Sequence, residues 1–159
     1  MPKAANAPDD ATLRRVLEGA RTIAVVGASS RWDRPSCRIM QYLQAVGYRI
    51  FPVNPNAAGG EIWGRRVYAA LAELPEPIDI VNVFRKPAAV GAAVAAAIAI
   101  GAKAVWLQKG VAEARAAARA RAAGLDVIED RCIKTEHFRL FGGTGAAPAP
   151  RLDSDPRAA

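Results

Sequence analysis

Apolar residues in this chain fall into two alternating patterns. Some form short unbroken runs; others recur every three or four positions over longer stretches. The runs Ile23 to Val26, Tyr48 to Val53, Ile78 to Phe84, Ala104 to Leu107 and Leu125 to Ile128 are rich in Val and Ile, as strands buried on both faces of a parallel sheet are. Between them the spacing is helical. Cys37 to Val46 closes on Gly47, Val90, Val94 and Ile98 recur at intervals of four, and Glu113 to Ala123 is an Ala/Arg stretch ended by Gly124; glycine just past the last turn is a common helix stop. Ahead of the first strand, Asp9 or Asp10 can cap a helix with Leu13, Val16 and Leu17 on one face. A short helix is expected around Tyr68 to Leu74, after the turn-rich link Asn54-Pro55-Asn56 and Gly59-Gly60, and another over Cys132 to Leu140.

Strands alternating with helices predict an α/β fold, a three-layer, Rossmann-like, doubly wound parallel five-stranded sheet. The expected strand order is 3-2-1-4-5. Residues 1–21 read as an N-terminal segment and helix and residues 22–141 as the sheet domain, with the Gly/Ala/Pro-rich residues 142–159 as a disordered tail. No internal repeat is visible.

Composition narrows the class. With 159 residues, 52% of them hydrophobic, the chain can build one core. No apolar run approaches the roughly 20 residues of a membrane span; Ala88 to Ala102, the longest, is alanine-rich, so no membrane role is expected. Two cysteines, Cys37 and Cys132, and no apolar leader give a cytoplasmic expectation. The net charge of +7 suits an anionic partner, nucleic acid or a small polyanion.

The stretch Thr22 to Ser36 then becomes the centre of interest. A buried strand, the small-residue turn Gly27-Ala28-Ser29 and a helix start at Pro35 or Ser36 make a phosphate site from backbone N–H groups and the helix dipole. Sheets of this kind bind ligands at the carboxyl ends of their strands. The loops expected there carry Arg31, Arg34, Arg85, Lys86, Lys109, Arg131 and Lys134. The dinucleotide fingerprint G-x-G-x-x-G is only partly met, by Gly27, with Ser29 and Trp32 in the other two places. The second strand ends Val53-Asn54-Pro55, without the acid that commonly receives a ribose 2′-OH. That tilts the ligand toward a nucleotide with an extra ribose phosphate, coenzyme A or NADP, although Asn and Pro also turn a chain on their own account.

The ordered motifs Ile23-Ala24-Val25-Val26-Gly27-Ala28-Ser29, Asp33-Arg34-Pro35-Ser36, Phe51-Pro52-Val53-Asn54-Pro55, Ile80-Val81-Asn82-Val83-Phe84-Arg85, Ala104-Val105-Trp106-Leu107-Gln108 and Asp130-Arg131-Cys132-Ile133-Lys134 resemble those of the small stand-alone CoA-binding proteins. That family is related to the CoA-binding domain of the succinyl-CoA synthetase α subunit. The resemblance implies that Gly27, Ala28 and Ser29 approach the pyrophosphate, with Arg34, Pro35 and Ser36 beside them. It places Val53, Asn54 and Pro55 near the adenosine, Val83, Phe84 and Arg85 along the adenine and pantetheine, and Gln108 and Gly110 at the thiol arm. The expected function is binding of coenzyme A or an acyl-CoA by a non-catalytic carrier, sensor or accessory protein. The alternative is an NADP-dependent oxidoreductase, or a CoA-ligase component acting with a separate chain; the synthetase's catalytic histidine has no match at His137, the sole histidine here.

Other chemistry is sparse. Cys132, His137 and Glu136 could be read as nucleophile, base and orienter, but positions 132 and 137 sit on different faces of a helix, and a small buried cysteine with a surface histidine is the expected arrangement. Cys132 could still meet the pantetheine thiol. Glu129 and Asp130 point to opposite faces of a strand end, and two cysteines with one histidine make no metal site. Arg115, Arg119 and Arg121 alternate with alanine, without the aromatic platform of a nucleic-acid binder. A homodimer is possible through Trp63 or Phe138, which core packing explains equally well.

Overall fold

Five short buried segments form one parallel sheet in a computed structural model that describes residues 7–142. The tail expected over 142–159 lies, from residue 143 on, outside the described residues. Asp9 caps helix α1 (Asp10–Gly19) by accepting the Thr12 N–H at 2.8 Å. The chain continues through β1 (Thr22–Val26), α2 (Pro35–Ala45), β2 (Arg49–Val53), a small hairpin of β3 (Glu61–Ile62) and β4 (Arg65–Arg66), β5 (Ile80–Val83), α3 (Pro87–Ala99), β6 (Ala104–Leu107), α4 (Ala114–Ala122), β7 (Asp126–Ile128) and α5 (Ile133–Phe141).

The sheet separates two apolar cores. Ile23, Val25, Ile80 and Trp106 face α1, α2 and α5, whereas Ala24, Val26, Val81, Val83 and Leu107 face α3 and α4. Every residue of β1, β5 and β6 is buried, which is why these segments read as unbroken apolar runs. On the second face, buried Ala93 and Ala97 of α3 lie against α4, which buries Ala116, Ala117 and Ala120. Alanine is thus the core residue where two helices approach closely.

The strand order differs from 3-2-1-4-5. Numbered among themselves, the five strands lie in the order 2-1-3-4-5, with the third strand, β5, beside β1 and not beyond β2. The outer side of β2 is already taken: Tyr68 forms a bridge to Val53, its N–H donating to the Pro52 carbonyl and its carbonyl accepting from Asn54. The guanidinium of Arg65 lies over the Phe51 ring, and its Nε donates to the Ile50 carbonyl at 3.0 Å. On the other side, Asp79 receives the backbone N–H groups of Arg21 and Thr22 at 2.7 and 3.2 Å, which ties the entry of β5 to that of β1. The helix expected around Tyr68 to Leu74 is a single 3-10 turn, Leu71–Glu73; Tyr68 is held extended in its bridge, and the Glu73 carboxylate receives the Ala69 and Ala70 N–H groups.

His137 is also not where the sequence placed it. It is fully buried, its Nδ1 at 2.8 Å from the Tyr42 hydroxyl and its ring packed among Tyr42, Tyr48 and Phe141. Beside it Arg139 of α5 pairs with Asp10 of α1, and also with Glu136 one turn back in its own helix. Burial holds the imidazole below its ordinary value of 6.5, so the folded state favours the neutral ring. The unfolded chain then takes up the proton more readily, and stability that is full above 6.5 falls as pH drops through the window below it. Urea unfolding at about pH 7.5 and about pH 5 should show lower stability at the acidic value. His137→Asn should lower stability at both and flatten the difference.

Candidate functional site

The carboxyl end of β1 runs into a turn held by its neighbours' backbones. The N–H groups of Gly27 and Ala28 both donate to the Val53 carbonyl, at 3.0 and 3.3 Å, and Phe84 N–H donates to the Val26 carbonyl at 2.8 Å. Gly27 has φ +89°, and a Cβ there would stand 2.2 Å from the Phe84 carbonyl oxygen. Only glycine fits so close a backbone approach. Ser36 donates its hydroxyl to the Gly27 carbonyl at 3.3 Å, and Asn54 donates its amide to the Ala28 carbonyl at 2.8 Å while its Oδ1 receives the Asn56 N–H. The Ser29 hydroxyl receives Arg31 N–H at 3.1 Å.

Beyond this turn α2 begins with Pro35 at its first position, and no side chain caps it. Pro35 has no N–H and Cys37 donates its own to the Arg34 carbonyl at 3.1 Å, so this start offers the space ahead of it chiefly the positive end of the helix dipole. Pro35 lines a cleft of about 830 Å³ that also takes in Arg38 and Ile39 one turn further along α2, Phe84 and Arg85 after β5, Gln108 and Gly110 after β6, and Cys132 at the start of α5. The size is that of a small-molecule site. Two anchors shape its far wall: Trp106 donates its buried indole N–H to the Arg131 carbonyl at 2.9 Å, and Gly110 N–H donates to Asp130 at 2.6 Å.

Positive charge is concentrated here. Arg31 is engaged with Asp33 and Arg131 faces Glu136 at 3.7 Å, while Lys134 lies over the Tyr42 ring. Arg34, Arg85, Lys86 and Lys109 have no carboxylate partner among the described residues. Cations left without acids on one edge leave a field that favours an anionic ligand.

The residues singled out in the sequence are therefore not equivalent. Pro35, Phe84, Arg85, Gln108 and Gly110 line one cleft, and Arg34, exposed at the start of α2, stands next to it in the chain. Gly27, Ala28, Ser36 and Asn54 are joined through the turn by hydrogen bonds. Val53 and Val83 are buried, their side chains in the core and their carbonyls receiving N–H groups from Gly27, Ala28 and Gln108. Pro55 is exposed in the link after β2. Arg38, Ile39 and Thr135, which also line the cleft, were missed in the sequence, although Arg38 and Ile39 follow Pro35 at the three- and four-residue spacing of one helix face. Cys132 and His137 do not work together, since Cys132 lines the cleft while His137 is enclosed in the core.

The CoA binding domain family matches residues 21–138. The chain belongs to this family. The uncharacterized Bacillus subtilis protein YneT is 36% identical over 130 residues, which cover 82% of this chain and 95% of that protein. Among solved structures, a Thermus thermophilus protein is 40% identical with a TM-score of 0.81, covering 84% of this chain and all of that one. A Pyrococcus horikoshii protein is 35% identical with a TM-score of 0.84, covering 89% and 99% of the two chains. An acetyl-coenzyme A synthetase of Korarchaeum cryptofilum shares the fold at 21% identity and a TM-score of 0.64; the match covers 74% of this chain and 28% of the synthetase.

Substitution at two glycines separates backbone strain from steric conflict. Gly27 and Gly59 share φ +89°, but nothing lies within 4 Å of a Cβ added at Gly59. Gly59→Ala should cost about 1 kcal/mol, whereas Gly27→Ala should cost more than about 2 kcal/mol because the β1 turn and Phe84 must move apart. Denaturant unfolding of the two variants checks the order.

Proposed function

We propose that this chain binds coenzyme A or an acyl-CoA at the carboxyl edge of its sheet and serves as a carrier, sensor or accessory protein for it. The observation that carries the reading is the cleft: it opens at the start of α2 and is fringed by cations without acid partners among the described residues. Membership of the CoA-binding domain family supports the same ligand. The close approach at Gly27 and the cation set fit a phosphorylated nucleotide, which the helix start and dipole favour. The turn of Gly27, Ala28 and Ser29, whose first two N–H groups are given to Val53, would then approach the pyrophosphate as a close backbone wall, with Arg34, Pro35 and Ser36 beside it. Asn54 and Pro55, beyond the Val53 carbonyl, would border the adenosine. Phe84 and Arg85, carried on the end of β5 after Val83, would flank the nucleotide and the start of the arm, with Gln108 and Gly110 further along it.

Coenzyme A supplies a thiol on which an acyl group is carried; this chain's residues bind and orient. Its two cysteines are unpaired, which suits a reducing compartment such as the cytoplasm. An NADP-binding oxidoreductase would use the same phosphate edge, and a titration separates the two. Calorimetry with CoA, dephospho-CoA, NAD, NADP and a short DNA duplex should show CoA as the tightest ligand, weakened by removal of the 3′-phosphate. Preference for NADP or for the duplex would overturn the reading. Arg34→Ala should lower CoA affinity roughly tenfold while leaving the thermal unfolding of the unliganded protein unchanged, because Arg34 is exposed and makes no cap.

A further inference from the structure

A second cavity, of about 570 Å³, shares Lys109, Cys132 and Thr135 with the cleft and extends from them to Pro8 ahead of α1. A small metabolite fits such a volume. Its charged groups differ in what they have left to bind with. Glu129 is engaged with Arg121 at 3.4 Å, and Glu136 with Arg139 at 2.6 Å. Arg131 faces the other Glu136 oxygen only at 3.7 Å, beyond hydrogen-bond reach. Lys109 has no carboxylate partner among the described residues. Asp130 has no cation partner among them; its Oδ1 receives the Gly110 N–H at 2.6 Å. That bond, with the Asp130 N–H donated to the Val111 carbonyl at 3.1 Å, holds the residue at φ +53°, a left-handed backbone that costs energy in any residue but glycine.

One carboxylate and two cations therefore line one cavity without neutralising each other, and the ligand that suits them carries both signs. A carboxylate takes a guanidinium through paired hydrogen bonds and a lysine as a point charge, and an ammonium takes a carboxylate. An α-amino acid brings the two groups on one carbon. Other ligands fit less well. Further phosphates would meet the carboxylates of Glu129, Asp130 and Glu136, and a long alkyl chain would find only Ala7, Pro8 and Ala112 as apolar wall.

We infer that this cavity is a second binding site, for a small zwitterion of the α-amino acid class, its carboxylate on Arg131 and Lys109 and its ammonium on Asp130. The site itself stands without the coenzyme A reading; one consequence rests on that reading and deepens it. Lys109 borders both cavities, so a carboxylate that engages it withdraws a cation from the edge that favours the coenzyme's phosphates. The two ligands weaken each other's binding reciprocally, and the chain releases coenzyme A when the amino acid is abundant.

Calorimetric titration of the full chain with the standard L-amino acids, and with propionate and ethylamine as probes that keep one charge each, tests the site. At least one amino acid should bind roughly tenfold more tightly than either single-charge probe. Asp130→Asn keeps an acceptor for the Gly110 N–H and a residue type that tolerates the left-handed backbone. Its thermal unfolding should match the wild type while amino-acid affinity falls roughly tenfold and propionate affinity does not. Arg131→Gln should weaken amino acid and propionate alike. No amino acid binding more tightly than the single-charge probes, or unchanged amino-acid affinity in both variants, overturns the site. With the amino acid bound, CoA affinity should fall roughly threefold, and Lys109→Gln should remove that dependence. An amino acid that binds without altering CoA affinity overturns the coupling. Failure of CoA to bind overturns the coenzyme A reading instead, and the amino-acid titrations still decide the second site.

Discussion

The carbonyl of Val53 accepts two backbone N–H groups, from Gly27 and Ala28, at the point where the sheet changes its direction of growth. β2 extends it to one side of β1, and β5 with its successors to the other. This pair of bonds, with the Phe84 N–H donated to Val26, draws three strand ends together and sets the shape of the turn. The segments that leave the strand ends inherit that geometry: the direction of α2, the position of Phe84 and Arg85, and the mouth of the cleft. A side chain at position 27 would separate the strands at this point, so the fold and the site share one requirement.

The opposite wall depends on fewer and more polar anchors. The Trp106 indole and the Gly110 N–H reach into the segment after β7, and Asn82 under the cleft directs the Gln108 amide. Asn82 Oδ1 is itself buried without a partner among the described residues, an uncommon condition for a polar atom in the middle of a strand. A hydrophobic residue would pack there at lower cost. What the polar pair does is orient the Gln108 amide at the cleft.

Much of this was legible in the sequence. Unbroken Val/Ile runs separated by helical spacing marked the layers, and the strand, small-residue turn and Pro35 marked the turn after β1 and the start of α2, because those signals are local. Strand order is not local, and 3-2-1-4-5 put the second strand inside the sheet. Yet Pro52 lies in that strand, and proline is confined to edge strands because it cannot donate to a ladder; that residue pointed to the observed arrangement. The absence of an acid at Asn54 has a similar local cause, since its amide donates to the Ala28 carbonyl, which a carboxylate could not do. Its argument for an extra ribose phosphate is correspondingly weaker than the unpaired cations. Burial of His137 was hidden because two of the aromatic residues that enclose it, Tyr42 and Tyr48, come from α2 and from the chain between α2 and β2, far from α5 in sequence.

The outer side of β2 has one more consequence, for how copies of this chain meet. Most of its outward backbone groups are taken or missing: Arg65 occupies the Ile50 carbonyl, Pro52 has no N–H, and Tyr68 pairs with both the Pro52 carbonyl and the Asn54 N–H. A second chain finds no ladder to continue there. Strand addition, the hazard of an open sheet edge, is disfavoured at that border, and association through it falls mainly to side chains.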